Sequence, residues 1–149
     1  MSRKRCRRKV WPLVDPVRHA IEGARITSES ELDKLRLREL AAIDAFARGR
    51  AQEIDWYDID ALARMTLTMA ERGVGRPEAM PALDIARQHL AADMRRFRET
   101  GRMGTTGPGL VAYRDLFVVH DAQRQAVARS EYEAAIQQAV RKASGGAHA

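Results

Sequence analysis

Apolar residues recur along the chain at steps of three, four and five positions, and no stretch alternates apolar with polar over the length of a strand. That periodicity predicts helices throughout. Asp15 followed by Pro16 is an N-cap with proline at the first helical position, and Gly23 closes a short helix after Glu22. Ser28 and Glu31 form a capping box ahead of the face Leu32, Leu35, Leu40, Ile43 and Phe46, which Gly49 ends. Asp55 is the expected N-cap of the next helix, with Asp58 at N3 and Ile54 stapled onto Ile59. Leu62, Met65, Thr66 and Met69 continue its face up to Gly73.

A fourth helix begins near Pro77 or Pro81, because a proline is accepted only in the first turn or so. It carries Leu83, Ile85, Leu90, Met94 and Phe97 to Gly101. A glycine-rich connection, Gly101 to Gly107, leads to Pro108 at N1 and the face Leu110, Tyr113, Leu116, Phe117 and His120. Ser130 and Glu133 form a second capping box, and Tyr132, Ile136 and Val140 line the last helix. The expected architecture is all-α, an antiparallel bundle of about five to six helices over residues 13–143. A flexible basic arm over residues 1–12 precedes it and a loose tail over 144–149 follows.

Composition narrows the class. The 149 residues suit one domain, and aromatics are only 5%, so Leu, Ile, Val, Met and Ala must build the core. The single cysteine, Cys6, excludes an intramolecular disulfide. Its neighbours Arg5 and Arg7 lower its thiol pKa, yet an incidental thiol on an arm is the simpler reading. No apolar run approaches the ~20 residues of a membrane helix, and Pro12, Asp15 and Pro16 break the stretch after the basic start before it becomes a signal sequence. The expected location is the cytoplasm.

Charge points to a partner class. Lys and Arg number 26 against 20 Asp and Glu, and six of the cations are Arg3, Lys4, Arg5, Arg7, Arg8 and Lys9. The rest of the chain is therefore neutral. Six clustered cations displace counterions from a phosphate backbone and give affinity without sequence choice. A solvated terminus that aids solubility is the other reading. Trp11 either stacks on a base or anchors the arm to the body; the anchor is preferred. Arg95, Arg98 and Arg102, with Arg96 beside them, form a second basic group. Favourable charge at a helix C-terminus accounts for it, with Asp93 and Glu99 as partial counter-charges.

Catalytic signatures are absent. The Leu40–Ile54 segment is no helix-turn-helix, since the link from Gly49 to Asp55 exceeds that motif's turn. Glu53, Asp55, Asp58 and Asp60 lack the order of a calcium loop and read as first-turn carboxylates. The 101–107 loop has no Lys-Ser/Thr pair after its last glycine. His120-Asp121 is the one catalytic-looking dipeptide, but His19, His89 and His148 stand at no metal-ligand spacing from it. A hydrogen-bonded core histidine is the expected role. Neither a metal nor a cofactor is expected.

Three short motifs, Met1-Ser2-Arg3-Lys4-Arg5, Asp15-Pro16-Val17 and His120-Asp121-Ala122-Gln123, give the chain a likeness over nearly its full length. It resembles a group of small uncharacterised proteins encoded by tailed bacteriophages and prophages. The resemblance implies a phage or prophage origin and a role in the host cytoplasm, and brings no activity, cofactor or site residue. The expectation is a non-enzymatic accessory protein whose arm contacts nucleic acid. The alternative is an inhibitor or adaptor, of anti-defence or host-takeover type, that docks a helical face on a host protein.

Overall fold

The computed structural model describes residues 29–145. The basic arm, Cys6, Trp11, the helix expected between Asp15 and Gly23, Ser28 and residues 146–149 lie outside them. The described residues form five helices: α1 (Glu29–Ala47), α2 (Glu53–Glu71), α3 (Arg76–Thr100), α4 (Gly107–Ala126) and α5 (Arg129–Gly145). The all-helical expectation holds.

Helix α2 lies at the centre and packs on each of the other four. This position explains its composition. Ile59, Leu62, Ala63, Met69 and Ala70 are buried on more than one side, and so are Thr66 and Thr68. Both threonine hydroxyls donate to the carbonyl four residues back, Leu62 O at 2.8 Å and Arg64 O at 2.9 Å, so no donor is stranded in the core. Helix α3 buries Ala79, Leu83, Ala86, Leu90 and Asp93, a series of alternating four- and three-residue steps that makes a narrow seam. Helix α4 contributes Ala112, Tyr113, Leu116 and His120, and the Phe46 and Tyr113 rings meet edge to face at 5.4 Å. Helix α5 rests on α2 through a satellite cluster of Met69, Val127, Tyr132 and Ala135.

Several expected apolar contacts fall on the outside. Leu40 is 42% exposed, Ile85 52% and Val140 58%, and Ile136 is exposed as well. Among the described side chains of α1, Ala42, Ile43, Ala45 and Phe46 are buried and Arg36 and Glu39 lean half-buried toward partners on α4, which turns Leu37 and Leu40 outward.

Two caps also differ from the expected ones. Helix α2 is capped by Gln52, and Asp55 stands at N3, accepting a 2.7 Å hydrogen bond from the Gln52 N–H. Ile54 is consequently inside the helix and exposed, not a staple. Before α5, the Ala128 carbonyl accepts the first helical bonds and Glu131 accepts from the Ala128 N–H at 3.3 Å, so Ser130 is already helical. Helix α5 also continues through Ser144, whose hydroxyl donates to Val140 O at 3.0 Å, past the expected tail boundary. Asp55→Ala should cost about 0.5–2 kcal/mol for the lost capping contact, whereas Ser130→Ala should stay within about 0.5 kcal/mol. Urea denaturation of both variants checks the assignment.

Glycine is required where α3 starts. Gly75 is its N-cap at φ +60°, in the left-handed region, and a Cβ there would meet Gln123 Cγ at 3.3 Å. Pro77 falls in the first turn and Pro81 just beyond it, which shifts the helix start to the earlier of the two expected positions.

Candidate functional site

The exposed side of α2 and α3 carries a trough. Its floor is Trp56 from α2 with Leu90, Ala91 and Met94 from α3, and Arg87, Arg95 and Arg98 form its rim around a hollow of about 390 Å³. Trp56 is fixed there, because its indole N–H donates to Leu90 O at 2.9 Å and its ring meets Tyr57 edge-on at 5.2 Å. Positions 87, 91, 95 and 98 are separated by four, four and three residues, so one face of α3 holds all three arginines. The stripe runs about 16 Å along the helix axis.

Elsewhere most cations are matched. Arg38 meets Asp58 at 2.6 Å, Arg64 meets Asp60 at 2.7 Å, and Arg48 and Arg50 share Asp44 at 2.8 Å each. Arg48 and Arg50 thereby hold the Asp44 carboxyl below its ordinary pKa, the Arg48 hydrogen bond being the largest cause. Arg87, Arg95 and Arg98 meet no carboxylate among the described residues.

The basic group expected at Arg95, Arg98 and Arg102 is therefore rearranged. Arg95 and Arg98 share the trough, while Arg102 lies beyond the Gly101 cap and outside its lining. Arg96 turns the other way, reaching Gly104 O at 3.3 Å and Asp93 at 3.6 Å. Asp93 does not offset Arg95 and Arg98, as expected of it, because it is buried and accepts the Tyr113 hydroxyl at 2.5 Å. Burial, then that bond to Asp93, pushes the Tyr113 pKa well above its usual value. The six arm cations lie outside the described residues.

A trough continuing past Arg87 toward α5, about 330 Å³, has a different character. Its cations Arg64 and Lys142 are taken up by Asp60 and Glu71. The unmatched charge stops at Arg87.

The second polar feature lies inside the bundle, around the His120-Asp121 pair. His120 is fully buried, its Nδ1 3.2 Å from Gln123 Oε1 and its Nε2 3.1 Å from the Tyr132 hydroxyl. Gln123 donates its amide N–H groups to Val74 O at 2.8 Å and Thr66 O at 3.2 Å, so its oxygen is an acceptor. His120 must then carry its proton on Nδ1, and Tyr132 donates to Nε2. The Tyr132 oxygen accepts from Arg124 Nε at 3.4 Å. Arg124 goes on to Glu39 at 2.5 Å and Asp121 at 3.4 Å, and Arg36 grips Asp121 with two bonds of 2.8 Å.

This chain of bonds ties α1, α2, α4 and α5 together, and its electrostatics are those of a structural element. Burial, aided by the Arg124 charge, lowers the His120 pKa to about 3. A ring so disfavoured as a cation is a poor proton shuttle near neutral pH. Burial raises the Glu39 carboxyl against the pull of Arg124. Burial would raise Asp121 too, but Arg36, Arg124 and Gln125 together hold it below its ordinary value. His120 thus has the expected core role. Arg124 and Glu39 were not singled out in the sequence, and Tyr132 was read only as part of an apolar face; the available signal was the three-residue spacing of Asp121 with Arg124 and of His120 with Gln123.

The acidic group is likewise occupied. Asp55, at N3 of α2, accepts the Gln52 N–H, Asp58 and Asp60 pair with arginines, and Glu53 accepts the Tyr57 hydroxyl at 3.3 Å. Among the described residues no group of three or more His, Cys, Asp or Glu is placed to hold a metal ion, and no helix is long and apolar enough to cross a membrane. No protein-family model, characterised protein or solved structure matches the chain.

Proposed function

We propose that the protein is a non-enzymatic accessory protein that binds nucleic acid with little sequence preference. The six arm cations are its main electrostatic contact and the α3 arginine stripe a second. The supporting observation is a clustering of unmatched charge: Arg87, Arg95 and Arg98 line one trough and meet no carboxylate among the described residues. Polyanions fit both surfaces. The resemblance to phage-encoded proteins agrees with work on nucleic acid in a bacterial host.

The test is the salt dependence of binding to fluorescent oligonucleotides. Replacing Arg3, Lys4, Arg5, Arg7, Arg8 and Lys9 by Ser should flatten the slope of log affinity against log salt by about 3–5, from ~0.9 per duplex phosphate contact. An unchanged slope removes the arm from the reading. A parent protein that binds no nucleic acid at low salt removes the reading as a whole.

The docking alternative has an observation of its own. Val74, Val118, Val119, Ala122 and Ala126 line an apolar cleft of about 300 Å³ between the start of α3 and α4. Binding through that face would be nearly independent of salt.

A further inference from the structure

Resting on the nucleic-acid reading, we infer that the α2–α3 trough takes a single strand, with bases laid on Trp56 and Met94 and phosphates held by Arg87, Arg95 and Arg98. The trough combines two surfaces that a duplex cannot use together. Its floor is apolar and aromatic, while its rim is cationic and uncompensated. A duplex turns its phosphates outward and stacks its base faces inside, so it offers the rim something and the floor nothing. A single strand offers both, and base stacking on an aromatic ring is tolerant of sequence.

Size and rigidity agree. A hollow of about 390 Å³ is in the range that admits small planar groups, not a double helix. The three rim cations extend about 16 Å along α3, which suits a run of a few nucleotides, near the short end of the ~4–16 that single-strand modules cover. Trp56 is already held by Leu90 O, so little side-chain freedom is lost when a base packs on it. The one carboxylate in the lining, Asp60, is engaged by Arg64 at 2.7 Å, which limits its repulsion of a phosphate. Beyond Arg87 the cations are paired, so the track ends there.

The experiment uses the full chain and three probes: a short oligothymidylate, the corresponding oligouridylate and a duplex of equal length. Trp11→Phe leaves Trp56 as the only tryptophan, so its emission reports the trough alone. The expected result is quenching by one or both single strands and none by the duplex; quenching by only one identifies the sugar. Arg87→Ser/Arg95→Ser/Arg98→Ser should weaken single-strand binding at least about tenfold at low salt and flatten its salt slope by about 2, from ~0.7 per single-strand phosphate. The three side chains are exposed, so circular dichroism should show an unchanged melt. If the melt shifts, Arg95→Ser alone is read through Trp56 quenching, and an undiminished quench counts against the inference. Equal quenching by duplex overturns the single-strand assignment. A triple variant that binds like the parent, while the arm variant loses its slope, overturns the trough and leaves the nucleic-acid reading standing. No binding of any probe by the parent overturns both.

Discussion

Arg124→Met should destabilise the protein by about 3–5 kcal/mol, the range for removing one partner of a buried ion pair. The Arg124 side chain is 0% exposed, and its guanidinium is held by Glu39, Asp121 and the Tyr132 hydroxyl. Without it Asp121 keeps both bonds to Arg36, so the stranded charge is Glu39. That carboxylate is already the weak point: its second oxygen is buried and takes no hydrogen bond among the described residues, and burial raises its pKa. Two consequences distinguish this account from simple loss of packing. Adding Glu39→Met should recover most of the loss, since an apolar pair of similar volume often replaces a buried ion pair at little or no cost. The loss from Arg124→Met should also be smaller at pH 5 than at pH 8, because a protonated Glu39 is no longer an uncompensated anion. Urea denaturation of the parent, both single variants and the double variant measures the coupling. A loss below about 1 kcal/mol for Arg124→Met would mean the cation is not desolvated as described.

This network also shows why the sequence revealed the elements better than their faces. Gly49, Gly73 and Gly101 mark helix ends correctly because positive φ is a local demand, and all three have it. Caps are less legible. Ser130-x-x-Glu133 has the form of a capping box, but Glu131 reaching back to Ala128 N–H competes for the same turn and wins. Asp55 serves as well at N3 as at the cap, so residue type alone does not decide between them.

Faces fail for another reason. Hydropathy turns Leu40, Ile85 and Val140 inward and Glu39, Asp93 and Arg124 outward, yet in the structure the first three are exposed, Asp93 and Arg124 are buried and Glu39 is half-buried. These polar groups find partners distant in sequence: Glu39 and Arg124 are 85 positions apart, Asp93 and Tyr113 20. Periodicity contains no term for such pairing. Two of the three trough arginines were legible, since Arg95 and Arg98 stand out as a cluster. Arg87 did not, because Ala91 interrupts the stripe that the helix turn restores.

The stability of the parent should fall as pH drops from about 6.5 toward 3, with His120 contributing up to ~1.4 kcal/mol per pH unit. In the folded protein the ring is buried and bonded as a neutral donor–acceptor, and its pKa is about 3. An unfolded histidine titrates near 6.5. Above that value neither state binds a proton, so the ring adds no pH dependence. Below it only the unfolded chain takes one up, and folding is penalised until the folded ring also titrates. The neighbours modify the curve in known directions. Asp121, held below its ordinary value, adds a loss of the same sign at more acidic pH. Glu39, held above its ordinary value, works the other way, because acid relieves its buried charge. His120→Asn isolates the ring: it is less stable than the parent at pH 7, having lost shape and one or both hydrogen bonds, but its stability between pH 6.5 and 4 should be markedly flatter. Urea denaturation across that window reads both curves. Parallel curves for parent and variant would show that the ring titrates alike in both states, and the inferred chain from Gln123 through His120 and Tyr132 to Arg124 would have to be redrawn.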